Sequence, residues 1–425
     1  MHAPGSTEPT RAPRRTLSPS TARSAARLLQ PLALLLAVVT AWGGLAPVAE
    51  AQVWTFAGKD SVEGAPKTEG FAGFSIRISA SEDFFGLQGQ STFNIAEIPP
   101  DDDDGNVGGR FSIDARQTRL KAGFTVRGTP LGAIESYLES DFYGPSGQTT
   151  LRLRHAYMDF QHFRIGQWWS TFADMDVNPR TADFDGPTTG ILVRSAMLRY
   201  STAMWKGTTP TANGTWFTVS LEAPRSDARF SPDTVTSAAF QPLPDLVANV
   251  RFQRARGHVQ LSAVARDLRY NDGTENQDLF GRGLALSGAI KTTELGSKLM
   301  VQLIAGKGIQ RYMVSLGGFN IEAVPETPGS TKLTPLPTYG GYLAYDSQWS
   351  KKYHSTFVGG ATIIPDDRSG SPGPFFRGFY GSANLFWDGA PNLTIGPEIL
   401  YGVRWNPDDS SSDALRLTIL AKYGF

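Results

Sequence analysis

From about residue 71 to the end, apolar and polar side chains alternate with a period of two, in segments broken by clusters of Gly, Pro, Asp and Ser. In ARQTRLKAGFTV, Leu120, Ala122, Phe124 and Val126 form one face. In GAIESYLESDF the apolar face is Ile134, Leu138 and Phe142, and in LRLRHAYM it is Leu151, Leu153 and Tyr157. A final segment alternates Leu415, Leu417, Ile419, Ala421, Tyr423 and Phe425 with Arg416, Thr418, Lys422 and Gly424. Such alternation predicts strands that are apolar on one side only. Sixteen segments qualify, near 71–80, 115–127, 132–142, 151–160, 162–170, 192–202, 214–222, 245–253, 257–270, 281–292, 297–306, 340–350, 352–361, 375–388, 392–405 and 412–425.

The connections alternate too. Gly128–Leu131, Gln161, Arg254–Arg256, Thr293–Gly296, Lys351 and Gly389–Pro391 are tight, with 203–213 the longer exception on that side. The intervening connections, 81–114, 143–150, 171–191, 223–244, 271–280, 307–339, 362–374 and 406–411, are mostly long. Short turns at one end and long loops at the other are the signature of an all-β, up-and-down transmembrane barrel, with the turns periplasmic and the loops external. In lipid every backbone N–H and C=O needs a partner within the sheet, which closure provides. Sixteen antiparallel strands enclose an aqueous channel. The strand ending at Phe425 is expected to close the barrel and to be read by the barrel-assembly machinery.

The first 51 residues fit a cleaved signal peptide. Arg11, Arg14, Arg15, Arg23 and Arg27 precede the apolar run LLQPLALLLAVVTAW, then a small-x-small site at Ala49-Glu50-Ala51. The uninterrupted core from Leu32 to Val39 is shorter than the roughly 20 residues of a spanning helix. The expected organisation is signal 1–51, short segment 52–70 and barrel 71–425, exported to the outer membrane of a Gram-negative bacterium. The chain has no Cys, so disulfides and thiolate sites are excluded. Basic and acidic residues balance at 40 each, and removing the signal leaves a slight acidic excess, which argues against nucleic-acid binding.

Anion preference must therefore come from placement. With the apolar faces turned to lipid, Arg119, Lys121, Glu135, Glu139, Asp141, Arg152 and Arg154 turn inward. An antiparallel register sets Arg119 beside Asp141 and Arg152, and Lys121 beside Glu139 and Arg154, with opposite charges facing across strands. Arg164, Arg199 and Arg266 are expected on other walls. This ladder either stiffens the wall or, through surplus guanidinium in a narrow passage, concentrates anions. The connection 171–191 carries Asp174, Asp176, Asp183 and Asp185 among Pro179, Gly186 and Pro187. A stiffened loop of that length is commonly functional. Folded inward, its carboxylates would oppose the arginines across a constriction; otherwise it is an external lid.

Other chemistry is weak. Asp101–Asp104 lacks the calcium-loop pattern, with Pro100 and Phe111 where the end carboxylates belong. It reads as a solvated tip, with bridging to lipopolysaccharide as the alternative. Gly306–Gly308 has no following helix and is discounted as a phosphate loop. Trp168, Trp169, Trp349, Tyr353, Trp387, Tyr401, Trp405 and Tyr423 fall at strand ends, as interfacial girdles or subunit contacts do. An outer-membrane hydrolase is the rival class, but His155, His162, His258 and His354 lie in no triad-like setting, and no histidine pair has metal-ligand spacing. No catalytic residue, metal or cofactor is expected.

The segments LRLRHAYMDF, FRIGQWWSTFADMD, TADFDGPTTG and SAMLRYS, with PDLVANVRFQ, GHVQLSAVARDLRY, AGKGIQRY and YGGYLAYDSQWS, resemble the DcaP-like porins across nearly all of the mature chain. The resemblance implies a homotrimer, a constriction loop folded inward, and passage of small organic anions such as dicarboxylates. It assigns that role to Arg119, Arg152, Arg154, Arg199, Asp174 and Asp185. Trp168 departs from the family, which has a smaller residue there, and the N-terminal helical extension of some members is absent. A phosphate- or pyrophosphate-selective channel is the alternative within the porins.

Overall fold

The computed structural model describes residues 53–56, 67–87, 89–99, 109–144, 148–206, 213–225, 241–271, 275–319, 321–327, 330–365, 377–407 and 410–424. The leader, Asp101–Asp104 and Phe425 lie outside the described residues. Sixteen staves make one antiparallel sheet. They are β1 Lys67–Phe85, β2 Arg110–Asp114 continuing as Arg119–Thr129, β3 Gly132–Tyr143, β4 Thr149–Phe160, β5 Phe163–Trp169, β6 Arg194–Lys206, β7 Gly214–Glu222 and β8 Asp245–Arg254. Then follow β9 Gly257–Asn271, β10 Asn276–Lys291, β11 Lys298–Lys307, β12 Pro337–Gln348, β13 Tyr353–Ile363, β14 Arg377–Asn384 continuing as Phe386–Ala390, β15 Leu393–Trp405 and β16 Ser411–Gly424. Each stave pairs with the next, and β16 returns to β1 with Gly424 opposite Ser75 and Tyr423 opposite Ile76. A short strand, Val53–Phe56, pairs with the start of β1.

The outer face is apolar because alternate residues have nowhere else to go. Leu120, Leu151, Leu261, Leu303, Leu343 and Ile399 are all exposed in the isolated chain, as a lipid-facing belt must be. Among the described residues no helix is long and apolar enough to cross a membrane; the strands do so instead. Strand ends moved little from expectation, although β1 runs on to Phe85 and Arg110–Asp114 joins the wall, which shortens the first long connection.

The lumen departs from a plain aqueous channel. Three connections fold into it: the one after β1, with a 3-10 turn at Ile95–Glu97; the one after β5, with a turn at Met175–Val177; and the one after β11, with a turn at Gln310–Tyr312. Their Phe93, Ile95, Phe172, Val177, Tyr312 and Met313 pack on inward residues of β8–β15, among them Val247, Met300, Tyr342, Tyr380 and Leu400. The physical reason is that these staves carry apolar residues inward as well as outward, so the loops bury a second core inside the barrel.

β4 breaks the alternation. Glu139 lies opposite His155 but Ser140 lies opposite Leu153, so Arg154 is an extra residue. A bulge of this kind turns two successive side chains to one face. Arg154 and His155 are both about 3% exposed, while Leu153 before them and Met158 after them face outward. Tyr157 therefore points into the lumen, which corrects its assignment to the lipid face. β5 presses against this bend at Gly166, where φ is +131° and a Cβ would stand 2.2 Å from the Ala156 carbonyl oxygen.

Candidate functional site

The connection between β5 and β6 crosses the lumen, and nearly every turn of it is tied to the wall. The Thr171 amide donates to Glu222 Oε1 at 2.8 Å, and Asn249 Nδ2 donates to the Thr171 carbonyl at 2.9 Å. Asp174 then caps the 3-10 turn and accepts from His258 Nε2 at 2.7 Å, Ser287 Oγ at 2.7 Å and Arg251 Nη1 at 3.3 Å. Asp176 takes the other Arg251 nitrogen at 2.5 Å. Tyr342 donates to the Val177 carbonyl, Arg180 forks onto Asp346 at 2.8 and 2.5 Å, and Asn384 donates to the Arg180 carbonyl. Further on, the Ala182 amide donates to Glu398 Oε2, and Arg77 Nη2 reaches the Thr181 and Ala182 carbonyls at 3.1 and 2.7 Å.

The loop carboxylates are electrically unlike one another. Burial pushes the Asp174 carboxyl upward, but the bonds from His258 and Ser287 and the charge of Arg251 overcome it and hold the group below its ordinary value. Asp183 accepts from the Phe93 amide and Tyr380 Oη; burial, then the charges of Glu398 and Asp185, push it up to about 7. Burial also raises Asp185, against the opposing charges of Arg194, Arg152 and Arg154. Of the four loop aspartates, Asp185 is the one set among the arginines. Asp174, Asp176 and Asp183 are anchors to other walls, so a row of loop carboxylates opposing the arginines does not form.

The arginine wall spans β2–β6. Arg152 forks onto Asp141 at 2.9 and 2.7 Å, and Arg154 bridges Glu139 at 2.7 Å and Asp141 at 2.8 Å. Arg119 approaches Glu139 at 3.5 Å, and Lys121 lies opposite Glu139 in the ladder. Glu139, Asp141 and Arg154 are buried and serve as the frame; Arg152 and Arg119 stay partly open. Phe184 of the loop stacks on Tyr143 at 4.9 Å and receives the guanidinium groups of Arg154 and Arg119 at 5.2 and 5.7 Å. Arg164 forks onto Asp159 and lies 3.9 Å from the Tyr157 ring centroid and 4.8 Å from that of Trp168. Arg199 is its neighbour across the ladder. Trp168 and Trp169 thus belong to this wall and not to an interfacial girdle. Arg266 is fully buried on Asp245 and Glu322 and is unavailable to solute.

Sequence reasoning missed Arg194. It sits against Trp169, 5.3 Å from the ring centroid, and its Nη1 has no hydrogen-bond partner, like Arg119 Nε and Arg199 Nε. Simple alternation gives it the parity of the outward Leu198. An arginine on the lipid parity at a strand end is itself the signal that the side chain turns inward.

The model of the DcaP outer membrane protein family matches residues 60–425. The chain belongs to that family. It is accordingly a channel of the outer membrane of a Gram-negative bacterium, and no enzyme. Among solved structures, the outer membrane channel DcaP of Acinetobacter baumannii superposes with a TM-score of 0.71 at 20% identity, over 87% of this chain and 100% of that one. Salmonella typhi OmpF in complex with daunomycin gives 0.53 at 11% identity, over 88% and 100%. An anion-selective porin from Comamonas acidovorans gives 0.51 at 9%, over 84% and 100%. These likenesses carry the fold. No curated protein sequence matches the chain.

Proposed function

We propose that this channel passes small hydrophilic solutes by diffusion, favours organic anions such as dicarboxylates, and works as a homotrimer. The supporting observation is a surplus of guanidinium beside the loop: Arg194 and Arg199 bond no carboxylate among the described residues, while Glu139, Asp141 and Asp159 are already taken by other arginines. Surplus guanidinium in a passage with low-dielectric walls raises the local concentration of carboxylates and matches their two-oxygen geometry. Phe184 and Asp185 of the inward loop sit against this arginine cluster, which supports a path that brings solutes past guanidinium.

Arg194 is the residue to change. Removing Arg154 would take a partner from two buried carboxylates, whereas no carboxylate bonds to Arg194 among the described residues. Reversal potentials in planar bilayers across a KCl gradient should favour chloride in the unaltered channel, and Arg194→Gln should reduce that preference severalfold without changing detergent-resistant folding. Competition between succinate and phosphate would separate a carboxylate path from a phosphate-selective one. Cation preference in the unaltered channel would remove the proposal.

A further inference from the structure

On the outer face of the barrel, β10 and β11 carry two cations in line with the apolar belt. Arg282 of β10 lies directly opposite Lys307 of β11 in the ladder, and both are exposed. They share the outward parity of the exposed Leu284, Leu286 and Leu303. Like charges set face to face across strands repel. Neither side chain has a hydrogen bond, ion pair or ring contact among the described residues. The nearby outward carboxylates, Asp267 and Asp278, are held by Arg269 at 3.0 and 3.5 Å. Height on the barrel follows from the register. Eight residues along each strand, Ile290 to Arg282 and Leu299 to Lys307, separate an exposed apolar pair near the periplasmic turn from the cations. At about 3.3 Å per residue and a tilt of roughly 40°, that climbs about 20 Å of an apolar band about 25 Å tall. The cations therefore sit near its external edge. The exposed Tyr339 of β12, opposite Ala305, marks a similar level, as an interfacial aromatic does.

We propose that Arg282 and Lys307 form a binding site for the phosphate groups of lipopolysaccharide in the outer leaflet. The site rests on the outer-membrane placement of the chain and is independent of the anion path, since both residues face away from the lumen. A charged side chain on a lipid-facing strand needs a partner to justify its cost. Directly opposed residues hold their Cβ atoms roughly 4.5–5.5 Å apart, so one phosphate can meet both side chains. The Arg282 fork takes two oxygens, and the Lys307 ammonium acts as a point charge beside them. A phosphate monoester carries about two negative charges near neutral pH, which offsets the repulsion within the pair. On the periplasmic side of the cations, Leu284, Leu286, Leu303 and Ala305 present exposed apolar surface on which acyl chains can lie. Cations at the external edge with leucines beneath them reproduce the order of an anionic lipid standing beside the barrel. A soluble anion gains nothing from the leucines.

The test is native mass spectrometry of the delipidated channel in detergent, titrated with diphosphoryl lipid A, dephosphorylated lipid A, phosphatidylglycerol and inorganic phosphate. Diphosphoryl lipid A should bind at least tenfold more tightly than the other three. Arg282→Gln combined with Lys307→Gln should lower its affinity about tenfold, and each single change about threefold, with heat-modifiable folding and the reversal potential unchanged. Any of the other three probes binding the unaltered channel as tightly as diphosphoryl lipid A overturns the site without needing a variant to fold. Undiminished lipid A binding in the double variant also overturns it. Loss of the trimer in that variant, with lipid A affinity unchanged, would assign the pair to a subunit contact and remove the site.

Discussion

Along β2–β6 the inward positions carry guanidinium groups, ringed by a few buried carboxylates that hold some and leave others without a carboxylate partner among the described residues. Along β8–β15 the inward positions include Val247, Met300, Tyr342, Tyr380 and Leu400, and the loop after β5 is bolted onto them through Arg251, Asp346 and Glu398. One wall is kept charged and partly exposed; the other is converted into a core. The difference shows how a wide barrel can make a narrow path: the packed wall fixes the loop, and the fixed loop sets what the arginine wall sees. On the proposed reading, charge selectivity belongs to the first wall, and most of the loop's hydrogen-bonded anchors belong to the second.

The most severe way to break this division is to release the loop from the packed wall. Asp174 is about 4% exposed and accepts from three wall side chains at once. Asp174→Ala leaves Arg251 with Asp176 alone and His258 without an acid, and loss of one partner of such a buried pair typically costs about 3–5 kcal/mol. The variant should show a clearly larger and noisier single-channel conductance, with anion preference reduced because solutes pass farther from the arginines. A conductance identical to that of the unaltered channel would mean the loop is held elsewhere.

A gentler lever is pH, acting through Asp183. Its carboxyl titrates near 3.8 when free and near 7 when docked. Below pH 4 both states carry the proton. Between pH 4 and 7 the free loop has lost it while the docked loop keeps it, so docking weakens across that window by a few kcal/mol and stays weaker above it. Asp174 has the opposite sign: its bonds act when it is ionised and fail as pH falls through its depressed value. Conductance noise should therefore rise from pH 5 to pH 8 and rise again in strong acid. Asp183→Asn should flatten the first rise; a noise profile that is already flat in the unaltered channel would refute the assignment.

Much of the arginine wall was legible because its logic is local. Period-two alternation gives the facing of Arg119, Lys121, Glu139 and Asp141, and cross-strand charge gives their register, which β2, β3 and β4 adopt up to the bulge. Past Arg154 alternation fails by one residue, and Tyr157 moves to the lumen for that reason alone. The packed wall was not legible. The partners of the loop lie 166 residues away at Asp346 and 216 away at Glu398, and no pattern within a strand announces them. Trp168 and Trp169 were misplaced because aromatic residues at strand ends serve girdles and lumens alike. Arg194 escaped because alternation was trusted where the membrane's aversion to charge should have overruled it.

The smallest test concerns what holds the bulge that shapes the arginine wall. The extra residue in β4 leaves the Leu153 and Arg154 carbonyls outside the regular ladder, and Gln167 Nε2 donates to both, at 3.1 and 2.9 Å. Gln167 shares the outward parity of Phe163 and Ile165, so hydropathy alone would welcome a leucine there. The hydrogen-bond argument predicts the reverse, because in lipid the two carbonyls have no water to turn to. Gln167→Leu should lower barrel stability by about 1–3 kcal/mol, read as an earlier urea midpoint in detergent. It should also shift the reversal potential slightly, less than Arg194→Gln does, because Arg154 and His155 lose part of the geometry that turns both of them inward. A midpoint equal to or above that of the unaltered channel would show that strand pairing alone sustains the bend, and that the arginine wall owes nothing to this outward-facing amide.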